Sequence, residues 1–343
     1  MKPVSKNVTI KSIAEALGVS FSTVSKALNN NPLVKEETRN LVFQKADEMG
    51  YSPNMLARGL RAKETKTIGV VFNDIENPVL TYIFKNIAID MAQNGYTTFI
   101  CDSQFDGAAE RANICSVLSR MPDCIILAPA SASTNNLDLL AEMGNHFIFM
   151  GEPSNLACNY IDVDYQHGGY LSASEVLLKG HRDILIITEP LDYPYSAQFV
   201  KGIQKAFGEY GVPFRPEMMR FAHASIDASA KEIAALWDAD ANAFTVPFTA
   251  VLTFDDNLAH GVYKAAAQIG LSVPQDISVI GFDDAPLSSF SMPPLTTVHL
   301  PKEKMAKSCI DILHSVLIEG VHNTSHYSLT PHLVDRNSVR SLG

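Results

Sequence analysis

Residues 9–29 read TIKSIAEALGVSFSTVSKALN, and this stretch decides how the front of the chain folds. Thr9 supplies a helix cap. Ile10, Ile13, Ala14 and Leu17 follow at i, i+3, i+4 and i+7, which puts one apolar stripe on a helix of about two turns. Gly18 suits the left-handed residue that ends such a helix, and Val19 plugs the turn. Ser20 is the next cap. Val24, Ala27 and Leu28 line the inner face of a second helix, and Ser22, Ser25, Lys26 and Asn29 line its opposite face. A third helix is expected over about 35–49, with Leu41, Val42, Ala46 and Met49 inward and Gly50 as its stop. Two short helices joined at Gly18 and braced by a third form a helix-turn-helix. Its second helix is slim enough to enter a major groove with its N-terminal residues against base edges. The competing reading is a small helical bundle that only packs on a larger domain.

Charge favours the first reading. The 343 residues carry 27 Lys and Arg against 37 Asp and Glu, a net charge of −10. Residues 1–66 hold eleven of the basic residues and only six acidic ones, a balance of +5, so the remainder stands at −15. A basic head on an acidic body points to a polyanion-binding module joined to a part with a different task. The length predicts two or three domains, and 46% hydrophobic with 19% charged residues fits an ordinary globular protein. Apolar runs such as 125–128 are too short to span a bilayer. No export signal follows Met1-Lys2-Pro3-Val4-Ser5-Lys6, so a cytoplasmic site of action is expected. Cys101, Cys115, Cys124, Cys158 and Cys309 are scattered, with no Cys-x-x-Cys pair, which fits free thiols in a reducing compartment.

Outward from the head comes Tyr51-Ser52-Pro53-Asn54. Ser52 caps and Pro53 takes the first helical position of a segment over about 53–61. Two turns alone in water fall short of the roughly 12–15 residues at which propagation offsets nucleation, so DNA or a second copy must order it. Arg58 and Arg61 suit phosphates. Leu60, apolar in a basic linker, suits a wedge in the minor groove, or packs on its own domain.

From Thr67 onward short β-rich runs (68–72, 97–102, 124–128, 146–151, 160–163, 184–188, 250–254, 278–283, 296–300) alternate with helical stretches such as 82–94, 168–179, 197–210, 229–237 and 258–269. This is α/β architecture, with doubly wound parallel sheets in two lobes. Ligands in such sheets sit beyond the carboxyl ends of the strands, where Asn73-Asp74, Asp255-Asp256 and Asp283-Asp284 stand. Paired carboxylates suit acid–base chemistry, hydrogen bonds from ligand hydroxyls, or helix caps. One Asp of each pair is expected to cap and the other to face the cleft. No nucleophile elbow, Gly-rich phosphate loop or metal-ligand spacing is present, so no catalytic residue, cofactor or metal is expected. His181, Met218-Met219 and Trp237 read as structural.

These motifs resemble the lactose-repressor/galactose-repressor (LacI/GalR) family of bacterial transcription regulators. The likeness is carried by Val8-Thr9-Ile10-Lys11-Ser12-Ile13-Ala14, Gly18-Val19-Ser20, Thr23-Val24-Ser25-Lys26-Ala27-Leu28-Asn29, Glu37-Thr38-Arg39, Gly50-Tyr51-Ser52-Pro53-Asn54 and Ala57-Arg58-Gly59-Leu60. It continues in Thr67-Ile68-Gly69-Val70-Val71, Gly180-His181-Arg182, the run from Val273 to Asp284, and Pro294-Leu295-Thr296-Thr297-Val298. The resemblance implies that Phe21, Ser22 and Lys26 choose bases, with Thr9, Ser20, Thr23, Ser25 and Asn29 beside them on the DNA. It also implies that Asn54, Ala57, Arg58 and Arg61 accompany an intercalating Leu60.

The domains implied are 1–66, with the hinge helix, and an effector-binding and dimerisation body over 67–343 that resembles periplasmic sugar-binding proteins. Its N-terminal lobe would take about 67–164 and 295–327, and its C-terminal lobe about 165–292 and 328–343. The implied effector pocket holds Asn73, Asp74, Val79, Phe199, Asp255 and Asp283, with a sugar or sugar derivative as first choice. One departure matters. The family carries an Arg three residues before the Gly of Phe199-Val200-Lys201-Gly202, and here that position is Phe199. A planar fork of donors is lost. Phe199 then stacks on an apolar ligand face, or the pocket is degenerate. The implied partners are a palindromic duplex, a small effector and a second copy of the chain; no leucine-heptad tail argues for a tetramer. Repression is the family's usual mode. A solute-binding protein of transport explains the body alone and needs an export signal, and an α/β enzyme needs a reactive constellation.

Overall fold

A computed structural model describes residues 8–51, 64–131, 136–151, 153 and 156–343. The chain divides into two units, Met1–Thr65 and Lys66–Gly343. The hinge helix expected over 53–61 lies outside the described residues.

In the first unit, α1 spans Ile10–Leu17, α2 Phe21–Leu28 and α3 Glu36–Glu48. Thr9 and Ser12 form a reciprocal capping box on α1, with the Ser12 amide donating to Thr9 Oγ1 at 3.2 Å and the Thr9 amide to Ser12 Oγ at 2.8 Å. Gly18 ends α1 at φ +65°. A Cβ there would meet no neighbour, so glycine is favoured by the backbone angle and not by crowding. Ile13, Val24, Ala27, Val34, Val42 and Ala46 close one small core, with Leu17, Val19, Leu28 and Met49 at its margin. Arg39 ties the loop before α3 by donating to the Asn31 and Val34 carbonyls, both at 3.1 Å. Leu41, expected inward, is instead 57% exposed. It precedes Val42 by one residue, or 100° of helix, and Val42 and Ala46 fill the inner face by themselves.

The second unit holds two six-stranded sheets. In the first the order is β13-β5-β4-β3-β1-β2, formed by β1 (Thr67–Phe72), β2 (Thr97–Asp102), β3 (Cys124–Leu127), β4 (Phe147–Met150), β5 (Asn159–Val163) and β13 (His326–Leu329). In the second it is β14-β12-β11-β10-β6-β7, formed by β6 (Ile184–Thr188), β7 (Met219–Phe221), β10 (Ala250–Thr253), β11 (Ser278–Asp283), β12 (Thr296–His299) and β14 (His332–Val334). The pairings are parallel except that of β14 with β12. A two-stranded ribbon, β8 (Trp237–Asp238) with β9 (Ala243–Phe244), completes the strands described. Helices α4 (Pro78–Gln93), α5 (Gly107–Leu118), α6 (Tyr165–Leu178), α7 (Ser196–Glu209), α8 (Ile226–Ala235), α9 (Asp256–Gln268) and α10 (Lys302–Leu317) make the connections. Parallel strands require such crossovers, and the central strands, covered by helices, read as unbroken apolar runs.

The chain passes between the sheets after β5, after β12 and after β13. The return expected near 295 therefore falls after His299, because β12 pairs with β11 in the second sheet. Helices α6 and α7 approach backbone to backbone. A Cβ on Gly169 would lie 2.0 Å from the Phe199 carbonyl oxygen, and one on Gly202 would lie 1.9 Å from that of Gln166.

Candidate effector cleft and DNA-binding face

On the first unit, α2 presents its start. Ser20 caps it, accepting from the Thr23 amide at 3.0 Å, and the Thr23 hydroxyl sits 2.8 Å from Ser20 Oγ. Phe21 is 49% exposed, and Ser22, Lys26 and Asn29 also face outward. Thr23 and Ser25 are half-buried, and the Asn29 amide donates to the Ser25 carbonyl at 2.9 Å, closing the far end. Neither α1 nor α2 carries an acid in its first turn, whereas α3 opens with Glu36 and Glu37. The positive ends of the first two helices are thus open to phosphate. Asn54, Ala57, Arg58, Leu60 and Arg61 lie outside the described residues.

On the second unit, a cleft of about 750 Å³, its open mouth included, lies at the carboxyl ends of the strands of both sheets. Asn73 and Asp74 reach it from the end of β1, Val79 from α4, Asp255 from the end of β10 and Asp283 from the end of β11. Sequence reasoning did not single out Glu189 after β6, Asp162 in β5, Phe105 after β2, or Tyr165 and Tyr195 at the starts of α6 and α7, all of which line the same space. Glu189 follows the β-rich run 184–188, so the strand-end position that singles out the aspartates marks it as well.

Phe199 does not line the cleft. It is fully buried beneath it, its ring edge-on to Phe254 at 5.3 Å and to Phe282 at 5.4 Å. The backbone contact of Gly169 on the Phe199 carbonyl sets α7 so that this side chain enters the core. The expected stacking of Phe199 on a ligand is therefore replaced by edge-on contacts with two phenylalanines.

The aspartate pairs divide their work unevenly. Asp255 caps α9, accepting from the Leu258 amide at 2.6 Å, and also lines the cleft. Asp256 is buried beneath it and accepts from Ser288 Oγ at 2.5 Å, the Ala285 amide at 2.7 Å and Thr297 Oγ1 at 2.7 Å. Asp74 accepts from the Glu76 amide at 2.8 Å, while Asn77 caps α4. Asp283 and Asp284 cap no helix. Asp283 sits at φ +110° and Asp284 at φ +54°, angles that cost a non-glycine residue and that gather at functional sites. The turn sends Asp283 into the cleft and Asp284 away from it. Asp284 there accepts from Arg336 at 2.6 Å and stands 3.0 Å from His299 Nδ1, and its carbonyl receives Lys302 Nζ at 2.6 Å.

Electrostatics follow from burial. Desolvation pushes Asp255 up to about 7, with Asp256 and Asp74 adding repulsion. Glu189 and Asp283 are driven well above the ordinary carboxylate range, first by desolvation and then by Asp255. Burial alone would raise Asp284 as well, but Arg336 and His299 outweigh it and hold that group low. His181 and Met218 are buried in structural settings, His181 between Thr249 Oγ1 at 2.8 Å and the Arg340 carbonyl at 3.0 Å. No group of His, Cys, Asp and Glu suited to a metal occurs among the described residues, and no helix described is long and apolar enough to cross a membrane.

Two family models match the chain: bacterial regulatory proteins of the lacI family over residues 9–54, and the periplasmic binding protein-like domain over residues 173–339. The HTH-type transcriptional repressor PurR of Pasteurella multocida (strain Pm70) is 30% identical over 335 residues, covering 97% of this chain and 99% of the relative. The lac repressor dimer bound to operator and the anti-inducer ONPF superposes with a TM-score of 0.80 at 23% identity, covering 98% of this chain and all of that one. A complex of the transcriptional regulator CelR with cellobiose gives a TM-score of 0.69 at 22% identity, covering 96% and 99%. With this identity extending over almost the full length of both chains, and with a helix-turn-helix ahead of a two-sheet body, the chain belongs to the LacI/GalR family of bacterial DNA-binding transcription regulators.

Proposed function

We propose that this regulator is a repressor, that it acts as a homodimer on a palindromic operator in the cytoplasm, and that a small molecule in the cleft of the body sets its operator affinity. The observation that carries the DNA half is the outer face of α2, where Phe21, Ser22 and Lys26 stand exposed at a capped, acid-free helix start. Each copy lays this helix in a major groove, half-sites about one helical turn apart. The stretch 53–61 of the two copies pairs in the minor groove and drives Leu60 between base steps. The effector half is supported by the strand-end acceptors Asn73, Asp74, Asp255 and Asp283 around one cleft between two sheets, the place where a lobe rotation changes what the dimer offers to DNA. The cellobiose-bound neighbour and the acceptor-rich lining favour a hydroxylated, sugar-like effector.

Selection of bound duplexes from a random pool tests the first half. A palindromic consensus with gel-shift affinity well above random duplex supports it, and uniform binding to all sequences contradicts it. A thermal-shift screen against sugars, sugar phosphates, polyols and nucleobases tests the second, because a ligand of the native state raises the melting point by mass action.

A further inference from the structure

Among the described residues that line the cleft are five carboxylates, Asp74, Asp162, Glu189, Asp255 and Asp283, and neither lysine, arginine nor histidine. The position at which the resemblance implied a guanidinium is Phe199, turned into the core. Lys302, at the start of α10, gives its ammonium to the Asp284 carbonyl at 2.6 Å. Glu189 Oε1 and Asn73 Oδ1 have no hydrogen-bond partner among the described residues, although Glu189 is only 3% exposed and Asn73 8%. Buried acceptors without donors are costly, and a ligand that brings donors into the cleft satisfies them. Burial and the neighbouring Asp255 hold Glu189 and Asp283 well above the ordinary carboxylate range, and a positive charge placed among these acids would favour their ionised forms and pair with them. The same lining holds aromatic rings: Tyr165 stacks on Tyr195 at 4.3 Å and 6°, and Phe254 stands beside Tyr165. Such rings take both the flat C–H face of a sugar and the field of a cation.

We propose that the cleft takes a compact hydroxylated ammonium, of the amino-sugar or imino-sugar class, with its nitrogen among Glu189, Asp255 and Asp283. This rests on the reading of the cleft as the effector site and narrows it. Hydroxyl groups donate to Asn73 and Asp74, and the ammonium supplies the hydrogens that Glu189 lacks. The same lining repels sugar acids and sugar phosphates, because it offers their negative charge no partner side chain.

Calorimetric titration of the full-length protein with glucosamine, glucose, gluconate and 1-deoxynojirimycin tests this. At least one of the two ammonium probes is expected to bind about tenfold or more tighter than glucose, with no binding of gluconate. Glu189→Gln is expected to cut that preference several-fold, and the near-isosteric Asp255→Asn provides a second variant should the first fail to fold. Tighter binding of glucose or gluconate, or no heat from either ammonium probe, overturns the charge assignment. If in that event a neutral or anionic sugar still shifts operator affinity, the effector reading of the cleft stands while this one falls.

Discussion

The ring of Phe105 lies flat on that of Tyr193, centroids 4.6 Å apart and planes 12° from parallel, so that a residue following β2 of the first sheet touches one following β6 of the second. Nearby, the Tyr195 hydroxyl donates to the Met150 carbonyl, again from the second sheet's side to the first. Phe105 and Tyr195 both hold positive φ, at 55° and 69°. The two sheets are thus joined beside the cleft by contacts that must break if the lobes part, and strained backbone presents Phe105 and Tyr195.

Phe105→Ala removes the stack while leaving the acids in place. A stacked aromatic pair contributes about 0.5–1.5 kcal/mol beyond its buried area. The variant is expected to bind effector roughly 2–10-fold more weakly, chiefly through faster release, with operator affinity in the absence of effector little changed. Stopped-flow release measurements check this, and an unchanged off-rate removes the bridge from the account.

Asp255→Asn separates charge from capping. Burial raises Asp255 from its ordinary 3.8 to about 7, so the folded protein holds this proton more tightly than the unfolded chain does. Its favourable contribution is full below about pH 4 and is lost as pH rises through about 7. Asparagine keeps an acceptor for the Leu258 amide and has no charge to bury. Melting curves are expected to coincide at about pH 4 and to favour the variant by about 2–5 °C at about pH 8.5. A variant that is less stable at the higher pH would show that Asp255 is ionised and satisfied in the free protein.

Gly202→Ala tests the seat of the second sheet's helices. The added Cβ would stand 1.9 Å from the Gln166 carbonyl oxygen, with backbone on both sides and no flexible side chain to yield. Separation of α6 from α7 is expected to cost about 3 kcal/mol by denaturant titration. A loss below about 0.5 kcal/mol would mean that the two helices part freely.

Much of this was legible in the sequence because local signals and burial agree there. The runs 68–72, 184–187 and 279–282 are apolar without break and became strands buried on both faces. Helix α5 was not singled out, since its inward face includes Glu110, which accepts from the Ala130 amide at 2.5 Å and from Asn136 at 2.7 Å and so is satisfied in the interior. Strands β13 and β14 are short edge strands with polar residues such as His326, Ser328 and His332, and only long-range pairing defines them. Four acceptors pointed to the cleft by their places at strand ends, and Val79 by the family resemblance. Phe199 misled because its direction is set by where Gly169 meets it, a tertiary fact with no sequence period. Tyr165 and Tyr195 escaped notice for the same reason.

Lys26→Ala is expected to alter which bases are selected at one or two positions of each half-site, not only the affinity. Comparison of the wild-type and variant consensus reads this directly. An equal loss across all duplexes, with a salt slope reduced by about one, would mark Lys26 as a phosphate contact instead.

We propose that occupancy of the acidic cleft governs the grip on DNA. The most direct test is fluorescence anisotropy on a selected operator, titrated with and without the ligand found by calorimetry, for the wild-type protein and for Asp283→Ala. Coupling free energies of roughly 1–3 kcal/mol predict a 5- to 150-fold shift in operator affinity for the wild type. For Asp283→Ala the account predicts an unchanged ligand-free affinity and no shift. An operator affinity that stays the same whether the wild-type cleft is empty or saturated would contradict it.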